Sequence, residues 1–451
     1  MTHLDQLRSH GLFDAKVPRY SSYPDASHFE NGVGQVNQSD WLHAIPRSDE
    51  ISVYIHIPFC KRLCWFCACR TQGTKSSRPV NAYVEYLRKE IRTVRSILPV
   101  GVRMGRLYLG GGTPTILSAE TMSILLDDLF GAFPKSDAFE FSVEIDPTDA
   151  KPAVLGTLIK YGLNRASIGI QDFAPNVQKA MGHTQSFADT KNTVDFLREN
   201  GGAAINCDLL YGLPHQTLSS FEQTLDQVLS LNPDRLSVGG YAHVPWVSKR
   251  QAMIKESDLP TPEMRYALAS LTKDVLAAKG YEAIGMDNYA RPGDSLCQAQ
   301  KNGSVRRNFQ GYTDNQCVTQ IGIGASAISK FRQGYVQNAI ATSAYQDRID
   351  HTHLAGYKGY VMTRKDQVIA DIIEDLLCRF RLSNRVGFFD TVADQAVVRA
   401  TAVSLMRRFP NAFFISHTGL QMNEWAKPLA RIIANSVDAF SHSNVAYSAA
   451  I

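Results

Sequence analysis

Between residues 51 and 279 the chain alternates short apolar segments with longer amphipathic ones, and this alternation restricts the fold more than any other feature. Residues 51–57, 106–109, 139–144, 165–170, 204–209 and 235–238 are apolar runs of strand length. A helical pattern follows each. The first covers 80–98, with Val84, Leu87, Ile91, Val94 and Leu98 on one face. The others start near Ser118, end before Gly162, cover about 186–200 (closed by Gly201-Gly202), and cover 219–231 and 263–279. Six strand–helix units in succession imply a parallel sheet, because parallel neighbours need a crossover connection. The expected fold class is α/β, an incomplete parallel (βα)6 barrel; a doubly wound open sheet is the alternative. Either fold collects ligand-binding groups at the C-terminal ends of its strands.

The flanks read differently. Residues 1–45 lack sustained periodicity and contain Pro18-Arg19-Tyr20-Ser21-Ser22-Tyr23-Pro24, expected to be an extended N-terminal arm. Residues 46–345 hold the strand–helix units. From 346 to 451 a mainly helical domain is expected. Ile369, Ile372, Ile373, Leu376 and Leu377 mark one helix, and Val397, Val398, Ala402 and Leu405 another. Segments 413–417 and 420–422 flank Thr418-Gly419 like a hairpin, and a last helix is expected over 424–440. The layout is similar to a winged helix. Its basic content, as at Arg407-Arg408, is modest, so a solvated face is the better reading than a nucleic-acid surface.

Cys60, Cys64, Cys67 and Cys69 lie within ten residues, directly after the first strand and Pro58. Three thiolates on one short loop can hold three corners of an iron–sulfur cluster and leave the fourth iron open to a non-protein ligand. Structural zinc calls for a second cysteine pair, and the remaining cysteines (Cys207, Cys297, Cys317, Cys378) are scattered singly. A disulfide framework suits small secreted chains, not 451 residues whose start lacks an apolar signal region. Hydrophobic content of 44% excludes disorder, and no apolar run is long enough to span a membrane. The net charge of +4 is too mild to argue for nucleic acid or a membrane surface, and it suits an anionic small substrate. A cytoplasmic location is expected.

Each strand end carries a notable group. Gly110-Gly111-Gly112-Thr113-Pro114-Thr115 leaves main-chain groups bare for a close ligand, and it lacks the lysine of a nucleotide-triphosphate loop. Glu144-Ile145-Asp146-Pro147 places a carboxylate that could receive an ammonium or a ribose, or equally serve as a salt-bridged acid. Gln171-Asp172-Phe173, Asp208 with Tyr211-Gly212-Leu213-Pro214, and Tyr241-Ala242-His243 follow at later strand ends. Gly322-Ile323-Gly324-Ala325-Ser326-Ala327 fits a dinucleotide pattern only weakly, lacking an obvious acidic partner downstream. It is read as a tight backbone approach, to a ligand of another kind.

Tyr54-Ile55-His56-Ile57-Pro58-Phe59-Cys60 with Cys64, Cys67 and Cys69 resembles the signature of the radical S-adenosylmethionine (SAM) enzymes. More narrowly, it is similar to the oxygen-independent coproporphyrinogen III oxidases. The glycine-rich turn, the Glu144 and Gln171 segments, Asp208–Pro214, Tyr241–His243 and Arg307–Tyr312 extend the likeness over nearly the whole chain. The resemblance implies a [4Fe–4S] cluster on Cys60, Cys64 and Cys67, with Cys69 not a ligand. It implies SAM at the open iron and a 5′-deoxyadenosyl radical that takes a hydrogen from a propionate side chain. Loss of carbon dioxide and an electron then leaves a vinyl group, and two rounds convert coproporphyrinogen III to protoporphyrinogen IX. Two SAM molecules are implied, one at Tyr54, Gly111, Glu144 and Ile328, the other at Phe66, Gly112, Thr113, Gln171, Asp208 and Ala242, with Phe309 and Gln310 nearby. A flavodoxin or ferredoxin would supply electrons, and the protein would be a monomer.

The chain departs from the family pattern in places. His183 stands where an arginine usually contacts SAM, and Asn288 replaces a usual histidine. Asn315-Gln316-Cys317 stands where some members carry an acidic run. These departures keep two alternatives open: a radical-SAM paralogue acting on another substrate (haem degradation, methyl transfer or cyclopropanation), and a haem-trafficking protein.

Overall fold

Strands of period two need one face for helices and one for whatever lies opposite, and the first strand shows the division. Strand β1 (Glu50–Ile57) sends Ile51, Val53, Ile55 and Ile57 into the main apolar core and presents Ser52, Tyr54 and His56 on the other side. This computed structural model describes residues 3–383, 391–441 and 447–451. The expected strands are all present, and most run longer than their apolar stretches: β2 (Arg103–Gly111), β3 (Lys135–Ile145), β4 (Arg165–Gln171), β5 (Ala204–Tyr211) and β6 (Arg235–Gly240). Neighbours from β1 to β6 pair in parallel, in chain order.

The crossovers obey ordinary helix chemistry. Helix α1 (His3–Ser9) and α2 (Gln35–His43) precede the barrel. Helix α3 (Ser77–Ile97) is capped by the Ser76 hydroxyl, which accepts from the Arg78 N–H, and it buries Val80, Val84, Leu87, Ile91 and Val94. Helices α4 (Ala119–Ala132), α5 (Pro152–Lys160), α6 (Phe187–Gly201), α7 (Leu218–Ser230) and α8 (Pro262–Ala278) follow the later strands. Helix α6 ends at Gly202 with φ +63°, a left-handed cap that glycine adopts without strain.

The sheet is wider than the sequence suggests. On one side β7 (Glu282–Ile284) and β8 (Asn288–Ala290) add antiparallel edges to β6. On the other, β9 (Thr319–Ile323) pairs in parallel with β1, and β10 (Ile328–Phe331), β11 (Gly334–Asn338) and β12 (Gly356–Val361) continue antiparallel. The two outermost strands, β12 and β7, do not pair with each other, so the described sheet remains an incomplete barrel. It runs to Val361, past the boundary expected at 345. The Gly322–Ala327 pattern is a tight backbone approach, as expected, and protein atoms make it at Gly322 and Gly324. A Cβ at Gly322 would lie 2.6 Å from the Ile328 oxygen, and one at Gly324 2.6 Å from the Tyr83 hydroxyl.

Two expectations for the flanks need correction. The arm is not extended throughout, because α1 and α2 are helices of seven and nine residues. Nor does it stand apart: Leu7, Leu12, Phe13, Tyr20 and Tyr23 enter the apolar core of the C-terminal region. That region contains α11 (Arg364–Cys378), reached after α9 (Ser295–Asn302) and α10 (Thr342–Thr352), then β13 (Arg381–Ser383), α12 (Val392–Arg408), and the hairpin β14 (Phe413–Ser416) and β15 (Gly419–Met422). The three strands form one small antiparallel sheet in the order β13-β15-β14. The expected last helix is a 3-10 turn at Glu424–Leu429 followed by the short α13 (Ala430–Asn435), since Pro428 cannot donate a helical hydrogen bond. Among the described residues no helix is long and apolar enough to cross a membrane.

Candidate active site

Because the inward residues of each strand alternate with core residues, the barrel interior receives a polar set from successive strands. Tyr54, Tyr108, Glu144, Ser167, Asp208 and Ser237 line one cavity of about 240 Å3, which Phe309 and Gln310 also reach. Glu144 accepts from the Gly111 N–H at 2.9 Å and from the Tyr108 hydroxyl at 3.1 Å. Burial, opposed in part by the Gly111 N–H, pushes its carboxyl up to about 7. Asp208 accepts from the Ser167 hydroxyl at 2.5 Å and from Asn206 Nδ2 at 2.8 Å, and burial raises its pKa as well. The Tyr54 hydroxyl meets His56 Nδ1 at 2.9 Å. At the next strand end Gln171 holds φ +69°, an unusual backbone for a non-glycine residue.

The glycine turn and the cysteine loop are built as one unit. The Gly112 N–H donates to the Ile57 oxygen and the Thr113 N–H to the Phe59 oxygen, both at 2.8 Å. A Cβ on Gly112 would lie 2.5 Å from the Phe59 oxygen, so glycine is required there. The loop is gripped from outside through its carbonyls. Gln251 Nε2 donates to Phe66 O at 2.6 Å, Ser248 Oγ to Cys67 O at 2.9 Å, and Arg250 to Cys69 O at 3.0 Å. Gln251 Nε2 also donates to Ala242 O at 3.1 Å, joining the end of β6 to the loop. Such clamps fix the main chain through its carbonyls and not through the thiols, as a cluster site needs. Burial raises the Cys60 thiol to about 11 and the Cys64 thiol to about 12, while a hydrogen bond from Cys69 lowers Cys67. All four are free cysteines.

The predicted residues therefore fall into groups. Tyr54, Glu144, Asp208, Phe309 and Gln310 share the cavity. Cys60, Cys64, Cys67, Phe66, Gly112, Thr113 and Ala242 belong to the loop and its supports, and Gly111 joins the two groups. Gln171 and Ile328 are not among the cavity's lining residues. His183 is buried, with Nδ1 3.1 Å from Cys64 Sγ and Nε2 2.9 Å from Gln185 Oε1, so both ring nitrogens are engaged at the loop. Tyr108, Ser167 and Gln251 escaped the sequence reading. Tyr108 and Ser167 lie on the inward side of β2 and β4, so strand alternation could have found them. Gln251 lies in a short 3-10 turn with no such signal.

A parallel partial barrel with this cysteine loop after its first strand defines a radical SAM enzyme, and the sequence profile of the radical SAM superfamily matches residues 54–228. The oxygen-independent coproporphyrinogen III oxidase of Paracoccus denitrificans is 45% identical over 451 residues, covering all of both chains. An anaerobic coproporphyrinogen III oxidase of Cereibacter sphaeroides is 46% identical over 453 residues, again in full. The solved coproporphyrinogen III oxidase of Escherichia coli superposes with a TM-score of 0.88 at 34% identity, over 94% of this chain and 100% of that one. The chain belongs to the oxygen-independent coproporphyrinogen III oxidase family. The radical SAM fold implies a [4Fe–4S] cluster and SAM, and three free cysteines on one loop, held from outside through its carbonyls, fit the cluster.

Proposed function

We propose that the protein catalyses the oxygen-independent oxidative decarboxylation of two propionate side chains of coproporphyrinogen III, giving protoporphyrinogen IX for haem biosynthesis. The observation that carries this reading is likeness to oxidases of that name across the full chain, together with a polar barrel interior joined to the cysteine loop. Cys60, Cys64 and Cys67 would hold the cluster. When bound, cluster and SAM together supply a carbon radical able to remove a hydrogen atom from the substrate. The chain's own residues do the rest. Glu144 and the bare main chain of Gly111 offer an acceptor and a close approach for the amino and ribose groups of SAM. Tyr54 and His56 fix one wall, and Phe66, Thr113 and Ala242 fix the loop side. Ile328 belongs with this first SAM, while Phe66, Gly112, Thr113, Gln171, Asp208 and Ala242 offer contacts for a second, with Phe309 and Gln310 nearby and His183 steadying Cys64. The strand–helix barrel carries the chemistry, and the N-terminal arm and C-terminal unit cover it and exclude water. A flavodoxin- or ferredoxin-type donor, a monomeric state and a cytoplasmic location complete the reading.

The test is direct. The cluster is reconstituted anaerobically and reduced, SAM and coproporphyrinogen III are added, and the tetrapyrrole is weighed by mass spectrometry. Loss of two carbon dioxide units is the expected result. An intact tetrapyrrole beside 5′-deoxyadenosine would move the activity to another substrate.

A further inference from the structure

Arginine side chains from four separate parts of the chain converge on one cavity. Arg19 comes from the N-terminal arm, Arg265 from α8, Arg307 from the short strand 306–308 and Arg431 from α13. The cavity measures about 540 Å3 and lies where the end of β6 meets the C-terminal unit. Six arginines and lysines line it, against three acidic side chains, Asp274, Asp287 and Glu424.

Arg19 and Arg431 are oriented by peptide carbonyl oxygens, which leave their charge uncancelled. Arg431 donates to Val17 O at 2.5 Å, to Ala449 O and Ala450 O at 2.9 Å, and to Pro18 O at 3.1 Å. Arg265 donates to Tyr241 O at 2.7 Å and to Ile451 O at 3.0 Å, and Arg19 donates to Gly240 O. Arg307 has Asp287 at 3.9 Å, and its Nε is buried with no hydrogen-bond partner. Burial, and after it the neighbouring Arg19, push Arg431 down to about 9. Buried charges in proteins are ordinarily paired, and Asp287, which pairs with Arg307, is one carboxylate shared among Arg19, Arg307 and Arg431, so the cluster has room for a further anion.

The position says which anion. Arg307 lies two residues before Phe309, and Asp287 adjoins Asn288; Phe309 and Asn288 line the barrel cavity that holds Glu144. The two cavities are therefore neighbours. A tetrapyrrole with one propionate in the barrel must place its other carboxylates some distance away around the ring.

We propose that the arginine cavity binds the propionates of the tetrapyrrole that are not reacting, and so selects a polycarboxylate substrate. This rests on the reading of coproporphyrinogen as substrate.

The probe is coproporphyrin III, followed by fluorescence titration of the cluster-loaded protein, beside its uncharged tetramethyl ester. The tetra-acid is expected to bind at least about tenfold more tightly than the ester. Arg19→Gln and Arg307→Gln are each expected to weaken the acid at least about tenfold and leave the ester unchanged. Equal affinity for acid and ester, or variants that bind the acid as wild type does, would overturn the proposal. The ester comparison needs no variant, so it decides even if a substitution prevents folding. Carbon dioxide release from coproporphyrinogen, measured in parallel, separates the two readings. Release without charge-selective binding removes the arginine site alone. Arginine-dependent binding without release keeps the site and removes the decarboxylation.

Discussion

A buried carboxyl that titrates near neutrality makes Glu144 the most pH-sensitive part of the barrel interior. Its folded value of about 7 lies above the ordinary 4.5, with burial the main cause. The folded protein therefore keeps a proton there that the unfolded chain has already lost, and stability falls as pH rises through this window. The effect is on the order of 3 kcal/mol once the window is crossed. Glu144→Gln is tolerated, because the amide oxygen can still accept from Gly111 and the Tyr108 hydroxyl can turn to accept from the amide. The variant, free of cofactors, is expected to melt higher than wild type above pH about 7 and alike below about 4.5, as read by thermal unfolding across that range. SAM brings an ammonium and favours the ionised carboxylate. Wild-type affinity for SAM should then rise with pH through the window, and the variant's should be weaker and flat. Glu90 is also raised by burial to about 7, yet the same change should harm it. Gly324 N–H and the Tyr345 hydroxyl donate to one oxygen and Asn338 Nδ2 to the other, all at 2.8 Å. A glutamine must turn its own N–H group toward one of these donors. Glu90→Gln should cost about 1–3 kcal/mol in urea unfolding, and an unchanged midpoint would show that the site relaxes. The strand-end position marks out Glu144 in the sequence, but how each acid takes an amide is set by the partners that the fold delivers.

At the scale of elements, legibility followed periodicity. The six parallel strands and their helices were visible because each has an apolar face of standard period, as in α3 with Val84, Leu87, Ile91 and Val94. Strands β7, β8 and β10 to β12 were not visible. They are three to six residues long, pair antiparallel at the sheet's edges, and mix glycine and polar residues with few apolar ones. The parallel partner β9 is buried throughout but holds only two apolar side chains, Ile321 and Ile323, and lies far along the chain from β1, and pairing over such a distance leaves no local trace. In the arm, α1 and α2 are too short to show a stripe. The cysteine loop was legible as a motif, but its supports were not. Gln251 shows why they matter: its oxygen accepts from the Val244 N–H at 2.5 Å while its amide holds the Phe66 and Ala242 carbonyls. Gln251→Ala leaves these groups unpaired at the junction of β6 and the loop. We expect a loss of about 1–3 kcal/mol in stability and a lower iron and sulfide content after reconstitution. Full cluster occupancy in the variant would show that the loop holds its shape unaided.

Across the whole molecule, the site is closed by parts distant in sequence. The Val17 N–H donates to Ser448 O at 3.1 Å and the Ala450 N–H to Ala15 O at 2.8 Å, so residues 447–451 pair with the arm as a short antiparallel ribbon. Arg431 grips both sides of that ribbon, and Arg265 holds Ile451 O. The Tyr20 hydroxyl donates to Asp438 at 2.9 Å, tying the arm to the C-terminal unit once more. Arg19 follows directly on the paired residues, so its place in the arginine cavity depends on the ribbon. Removing residues 447–451 should therefore act at a distance from the cluster. Hydrogen exchange should speed up in residues 15–24, because a ribbon of few hydrogen bonds is a low-stability unit. Coproporphyrin III should bind about tenfold more weakly, through the lost position of Arg19 and the lost partners of Arg265 and Arg431. The iron content should stay at the wild-type level, since the cysteine loop is clamped by Ser248, Arg250 and Gln251 and not by the ribbon. Unchanged exchange in the arm would mean that Tyr20 and the apolar packing of Leu7, Leu12 and Phe13 hold it without the ribbon. A loss of iron would mean that the cover and the cysteine loop fold as one unit.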